Sequence, residues 1–125
     1  MLTKKTLVPA VCGMVIGVFA TLWAQQPPAT TQRTPQFENA NVKVWKTLIM
    51  PNQPLSMHRH DHGRTIVALQ GGTLTIKPEK GASKKVVWET GKAYWLDADP
   101  PNELHGDVNE TAKPIEVMVV EMKKN

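Results

Sequence analysis

Short runs of strand-forming residues separated by turn signals fill the sequence after residue 41. The runs are rich in Val, Ile, Thr and Trp, most are followed by Gly, Pro, Asn or Asp, and they recur at roughly 8–12 residues. The predicted strands are Val42–Met50, Leu55–His60, Thr65–Gln70, Thr73–Lys77, Lys84–Glu89, Ala93–Leu96, Leu104–Val108 and Ile115–Met122. No helical period interrupts them, so the pattern predicts an all-β sandwich or barrel.

One turn is marked more strongly than the others. Gln70-Gly71-Gly72-Thr73 joins two predicted strands through paired glycines. Paired glycines permit the positive φ that a two-residue turn needs, so this segment predicts a tight β-hairpin.

The first 24 residues have the pattern of a secretory signal. Lys4 and Lys5 precede an apolar run that ends in small residues, with cleavage expected after Ala20 or Ala24. An uncleaved membrane anchor is the alternative, although the run is near the lower limit of roughly 17–25 residues for a span. We therefore expect an exported protein, periplasmic or secreted, that has no membrane contact once the signal is removed.

The mature chain divides into a linker and one domain. Residues 25–40 begin with a polar, proline-rich run and are predicted to be a flexible linker, and residues 41–125 form the domain. Loss of Lys4 and Lys5, with no acid, lowers the formal charge from +4 to +2. The remaining lysines are scattered rather than gathered on one face, which argues against nucleic-acid binding.

The single cysteine, Cys12, lies in the predicted signal. The mature domain therefore has neither a disulfide nor a thiolate metal ligand.

Histidines carry the chemistry that the sequence suggests. His58 and His60 are two positions apart, so in a strand both imidazoles leave the same face. His105, on a distant predicted strand, could complete a three-nitrogen metal site. His62 is a candidate fourth ligand, although Gly63 indicates a bend there. Nitrogen ligands favour a divalent transition metal such as Zn, Fe, Ni or Cu.

Two motifs in this order resemble the small single-domain cupins of the RmlC-like jelly-roll superfamily. The first motif of that family is HxH, three or four residues, Glu, six residues and Gly. Here it is matched by His58-Arg59-His60, then Arg64, then Gly71. The second motif opens at Gly91 and closes with His105 and, four positions later, Asn109. The resemblance covers about residues 41 to 122. It implies a cupin-type jelly-roll β-barrel that commonly associates as a homodimer.

Arg64 stands where the family usually has a carboxylate ligand. A guanidinium stays protonated and has no lone pair to donate to a metal. Three arrangements remain open. The metal is held by His58, His60 and His105 alone, His62 adds a fourth nitrogen, or a metal-free pocket uses Arg64 to clamp an anion.

The remaining candidates have simpler interpretations. Asp97, Asp99 and Glu103 could replace the missing carboxylate, but they flank a turn, where solvent exposure is more common. The aromatic residues are more simply core or dimer-face residues than pocket walls, and Tyr94 and Trp95 should face opposite sides of their strand.

Two functions follow from these residues. The first is an exported protein that binds a divalent metal, a small ligand or both through a three-histidine pocket that includes Arg64. The alternative is a metal-dependent enzyme of the oxygenase or isomerase type that acts on a small organic acid. The sequence identifies no catalytic residue.

Overall fold

The computed structural model of the protein describes residues 28–124, and the predicted signal, residues 1–24, lies outside them. The described chain is built from strands, which confirms the all-β prediction. They are β1 (Gln32–Glu38), β2 (Val42–Ile49), β3 (Arg64–Gln70), β4 (Gly72–Pro78), β5 (Lys84–Trp88), β6 (Ala93–Leu96), β7 (His105–Val108) and β8 (Ile115–Met122). Within residues 28–124, no helix is long and apolar enough to cross a membrane.

The strands form two antiparallel sheets. One has five strands in the order β1-β2-β8-β3-β6, and the other has three in the order β5-β4-β7. The core lies where the two sheets face each other, with Trp45, Ile66 and Val117 on one side and Leu74 and Trp88 on the other. This packing of two inner faces gives a small jelly-roll domain.

Period-two alternation decides which side chains enter the core. In β8, Ile115, Val117 and Val119 are buried while the residues between them are half-buried. In β3 the same period turns Arg64 inward with Ile66 and Ala68, so an arginine lies on a core-facing position.

Tyr94 and Trp95 leave opposite faces of β6, as predicted. Tyr94 packs against the core, whereas Trp95 is exposed.

The linker prediction is wrong for residues 32–38, which form β1. This strand pairs with β2 from Gln32 opposite Leu48 to Glu38 opposite Lys43, with a bulge between Pro35 and Phe37. All seven residues of β1 are exposed, so backbone hydrogen bonds rather than apolar burial hold it. The polar composition of β1 gives no alternating apolar pattern, so the sequence did not predict this strand.

The predicted strand Leu55–His60 is also absent from the described chain. Its backbone meets β7 only at separate points, where the Leu55 N–H donates to the Asp107 carbonyl at 2.9 Å and His58 pairs with His105. Pro51 and Pro54 lie just before this segment and have no N–H to donate, so no continuous ladder leads into it.

The predicted hairpin at Gly71-Gly72 is wrong because β3 and β4 belong to different sheets. The chain turns a corner there and passes directly over the end of β5. A Cβ on Gly71 would lie 2.1 Å from the Trp88 carbonyl oxygen and 2.7 Å from the Thr90 nitrogen. Glycine is required at this corner for close backbone approach.

We expect Gly71→Ala to destabilise the domain by about 2–3 kcal/mol, because the new methyl group meets backbone atoms that cannot rotate away. Urea denaturation followed by circular dichroism measures the free energy of unfolding. The exposed substitution Ser83→Ala is the control and should change it by less than about 0.5 kcal/mol. Equal urea midpoints for Gly71→Ala and Ser83→Ala would contradict the requirement for glycine at this corner.

Candidate metal centre

A backbone bridge brings two distant histidines together. The His58 N–H donates to the His105 carbonyl at 2.9 Å, and the His105 N–H donates to the His58 carbonyl at 2.8 Å. Residues directly opposite each other in an antiparallel pair present their side chains on the same face. The two imidazole centroids are accordingly 4.5 Å apart.

His60 joins this pair through Asp99. The Asp99 N–H donates to the His60 carbonyl at 2.8 Å, and the His60 N–H donates to Asp99 Oδ2 at 2.6 Å. The His60 ring centroid lies 5.1 Å from that of His58 and 5.8 Å from that of His105. One nitrogen from each of the three rings lies within 4.8 Å of the others. The structure thus brings together the three histidines that the sequence selected.

The Nδ1 atom of each ring faces a protein oxygen. His58 Nδ1 lies 2.7 Å from the Ser56 carbonyl, His60 Nδ1 lies 2.5 Å from Glu121 Oε2, and His105 Nδ1 lies 3.4 Å from Asp99 Oδ2. A proton on Nδ1 directed at such an acceptor leaves the Nε2 lone pair for a metal. His58 Nε2 is buried and has no hydrogen-bond partner among the described residues. The donor set therefore fits a metal ion.

Burial favours the neutral form of His58 and of His105. It lowers the pKa of His58 to about 4, with the positive charge of Arg33 adding to the effect and the Ser56 carbonyl opposing it. Burial also lowers the pKa of His105, against the opposing charges of Asp107 and Asp99. A neutral imidazole is the form that donates to a metal.

Asp107 is one of two site residues that sequence reasoning missed. Its Oδ2 lies 3.6 Å from His58 Nε2, and its Oδ1 lies 3.9 Å from His105 Nε2. Burial raises the pKa of its carboxyl group, and His105 opposes the shift. Asp107 follows His105 by two positions in β7, so the strand period was a signal that could have found it.

Glu121, which faces His60 Nδ1, carried no such signal, because it is 61 residues from its partner.

His62 does not belong to the convergent group of histidine nitrogens. The chain bends at Asp61 and His62, and Gly63 then packs beneath Trp95, where a Cβ would lie 2.3 Å from the indole ring. This turn ends the extended run that would have carried His62 to the same face as His60.

Arg64 is buried beside the histidines and is held by backbone and carboxylate oxygens. Its Nη1 donates to the Asp97 carbonyl at 3.0 Å, and its Nη2 lies 3.6 Å from Asp99 Oδ1. Burial lowers the pKa of Arg64, while Asp99 and other carboxylates oppose the shift. Asp99 is only 15% exposed at its side chain, so the expectation that it would be solvent-exposed is wrong.

A small interior cavity adjoins the histidines. It measures about 40 Å³ and is lined by His60, His105, Arg64, Asp107 and apolar core residues. A water molecule needs roughly 10–15 Å³ of such space, so the cavity has room for a few waters or one small polar group. A groove of about 420 Å³ shares Arg33 and His60 with it, and another of about 480 Å³ shares Arg64 and His105.

Solved structures of other proteins resemble this domain. A cupin domain from Bordetella pertussis has a TM-score of 0.67 and 21% identity, with 79% of this chain and 99% of that chain covered. An RmlC-like cupin with a double-stranded β-helix fold from Methanocaldococcus jannaschii has a TM-score of 0.58 and 14% identity, covering 88% and 93%. An RmlC-like cupin from Desulfovibrio desulfuricans has a TM-score of 0.53 and 18% identity, covering 74% and 82%.

No protein-family model and no curated protein matches the sequence. The likeness to the solved structures is therefore one of fold, two facing sheets with a small cavity lined by His60 and His105, and His58 lies beside these two histidines. The chain has the fold of a small single-domain cupin of the RmlC-like, double-stranded β-helix type.

Proposed function

We propose that this protein is an exported cupin-domain protein that binds a divalent transition metal through Nε2 of His58, His60 and His105. The observation that carries the proposal is the orientation of the rings, since each Nδ1 faces an oxygen and leaves Nε2 for a metal. Three nitrogen ligands favour Zn, Fe, Ni or Cu. When bound, such a metal would act as a Lewis acid with open positions for a small ligand. Export is supported by the signal pattern of residues 1–24.

The alternative is a metal-dependent enzyme of the oxygenase or isomerase type that acts on a small organic acid. Asp107 is the observation that favours it, because a buried carboxyl group with a raised pKa lies beside two of the candidate ligands. Burial that raises the pKa of a carboxyl group favours its protonated form, and perturbed carboxyl groups of this kind are common among catalytic acids and bases. Turnover that is lost in Asp107→Asn while metal content is unchanged would separate catalysis from binding.

Metal content tests the proposal directly. We expect untagged protein to contain about one equivalent of a transition metal by mass spectrometry, and His58→Ala and His105→Ala to lose it, because each removes a ligand nitrogen. His62→Ala is the matched control and should retain the metal, since His62 lies outside the convergent group. Equal trace levels in all four proteins, each shown to be folded by circular dichroism, would end the metal proposal.

Asp99 should affect metal affinity without touching the metal. Asp99→Asn weakens the acceptor that faces His105 Nδ1, and such outer contacts typically contribute about 10- to 100-fold in metal affinity. Competition with a chromogenic chelator measures the dissociation constant. Asp61→Asn, at an exposed acid that pairs with Arg59, is the control and should leave the affinity unchanged. Equal affinities for the two variants would contradict the orienting role of Asp99.

The depressed pKa of His58 predicts a pH dependence of stability in the metal-free protein. Between pH 6.5, the ordinary value, and about 4, the unfolded chain binds a proton that His58 in the folded chain does not. The free energy of unfolding should therefore fall as the pH falls through this window. Urea denaturation at a series of pH values, in the presence of a chelator, measures it. In His58→Gln the free energy of unfolding should fall less steeply with pH. An unchanged slope would contradict the conclusion that burial keeps His58 neutral in this window.

A further inference from the structure

A groove beside the histidines combines cations with apolar surface. It lies between β1, the start of β2 and the segment that carries His60, and it measures about 420 Å³. We call it the β1 groove and define it by Arg33, Pro35, Phe37, Trp45, Arg59 and His60. This volume lies within the range of roughly 300–1,000 Å³ that is typical of small-molecule sites.

Two residues that line the β1 groove each carry a buried donor without an acceptor. Trp45 Nε1 and Arg59 Nε are both buried, and neither has a hydrogen-bond partner among residues 28–124. Trp45 as a whole is only 7% exposed. A buried donor without an acceptor is costly, and such groups are rare in native proteins. A ligand that brings acceptor oxygens into the groove would satisfy these donors once the two side chains shift to expose them.

Arg33 makes the groove cationic. Its guanidinium lies over the Trp45 ring, 5.6 Å from the centroid, and forms no hydrogen bond or ion pair with the part of the chain that the structure describes. The acidic side chains of the groove are already engaged, because Glu121 contacts His60 at 2.5 Å and Glu38 pairs with Lys123 at 2.6 Å. The planar fork of an arginine matches a carboxylate in geometry as well as in charge.

The β1 groove also offers apolar surface to a ligand. Phe37 is 57% exposed and lies in the wall of the groove with Trp45 and Pro35, so a hydrocarbon body has surface to cover. Arg33 and His60 also line the interior cavity, so a head group held by Arg33 is next to the candidate metal ligands.

We propose that the β1 groove binds an organic carboxylate, with the carboxylate on Arg33 and an apolar body against Phe37 and Trp45. This inference deepens the proposed function and rests on it only for access of the carboxylate to a metal. The groove itself consists of residues other than the three histidines, apart from the edge at His60.

Calorimetric titration of the full-length protein with 2-naphthoate tests the groove. The neutral analogue 2-naphthalenemethanol has the same body without the charge. We expect Arg33→Gln to weaken 2-naphthoate binding by about 10- to 100-fold, the contribution of a hydrogen bond to a charged group, and to leave binding of the alcohol unchanged. Arg33→Lys keeps the positive charge but loses the planar fork of the guanidinium, so its affinity for 2-naphthoate should lie between those of the wild type and Arg33→Gln. Lys92→Gln is the charge-matched control on the exposed surface and should bind 2-naphthoate normally.

The indole N–H resonance of Trp45 gives a second readout, since it should shift with 2-naphthoate in the wild type and not in Arg33→Gln. Absence of 2-naphthoate binding to the wild type, or equal binding by wild type and Arg33→Gln, would overturn the inference. A stable dimer in sedimentation that excludes 2-naphthoate would also overturn it, because a second copy would then occupy the groove.

Metal content measured on the same samples separates this inference from the proposed function. If metal is present and Arg33→Gln binds 2-naphthoate as well as the wild type does, the proposed ligand of the β1 groove is refuted and the metal centre is not. If the wild type contains no metal but binds 2-naphthoate more tightly than Arg33→Gln does, the proposed ligand of the β1 groove is supported and the metal centre is refuted.

Discussion

The pair of backbone hydrogen bonds between His58 and His105 is the constraint on which the site depends. These residues are far apart in the sequence, and the two hydrogen bonds hold their backbones directly opposite each other. The bridge acts on the backbone, so both imidazoles leave the same face of the pair. The segment before His58 needs no strand of its own, because a single bridged pair is enough to set the direction of both side chains.

Asp99 extends this constraint to the rest of the site. It accepts from the His60 backbone, faces His105 Nδ1 and lies near Arg64 Nη2. Arg64 therefore has a structural partner, which explains how a guanidinium can occupy a core-facing position of β3 next to candidate metal ligands. Its charge is directed at a carboxylate, and repulsion of a nearby cation is reduced accordingly. The replacement of an expected carboxylate by arginine thus keeps a negative group, Asp99, between the guanidinium and His105.

Strand periodicity predicted the parts of the molecule in which burial alternates. β6 and β8 were predicted residue for residue, and His58, His60 and His105 were chosen from spacing and motif alone. β1 was missed because its stability comes from pairing with β2 and its side chains bury little apolar surface. The turn at Gly71 was misjudged because the identity of the facing sheet is a long-range property. Glu121 was missed for the same reason, whereas Asp107 was within reach of the period-two rule.

The size of the interior cavity would limit which ligands reach the candidate metal ligands. At about 40 Å³ it has room for a small polar head group and not for a molecular body, so the body of a ligand held by Arg33 would stay in one of the grooves outside. Compounds with unrelated skeletons but the same terminal group would then compete for one position. Isomers in which that group is crowded by neighbouring substituents would be rejected. Steric access to the end of the ligand, rather than recognition of its whole outline, would set the range of molecules accepted.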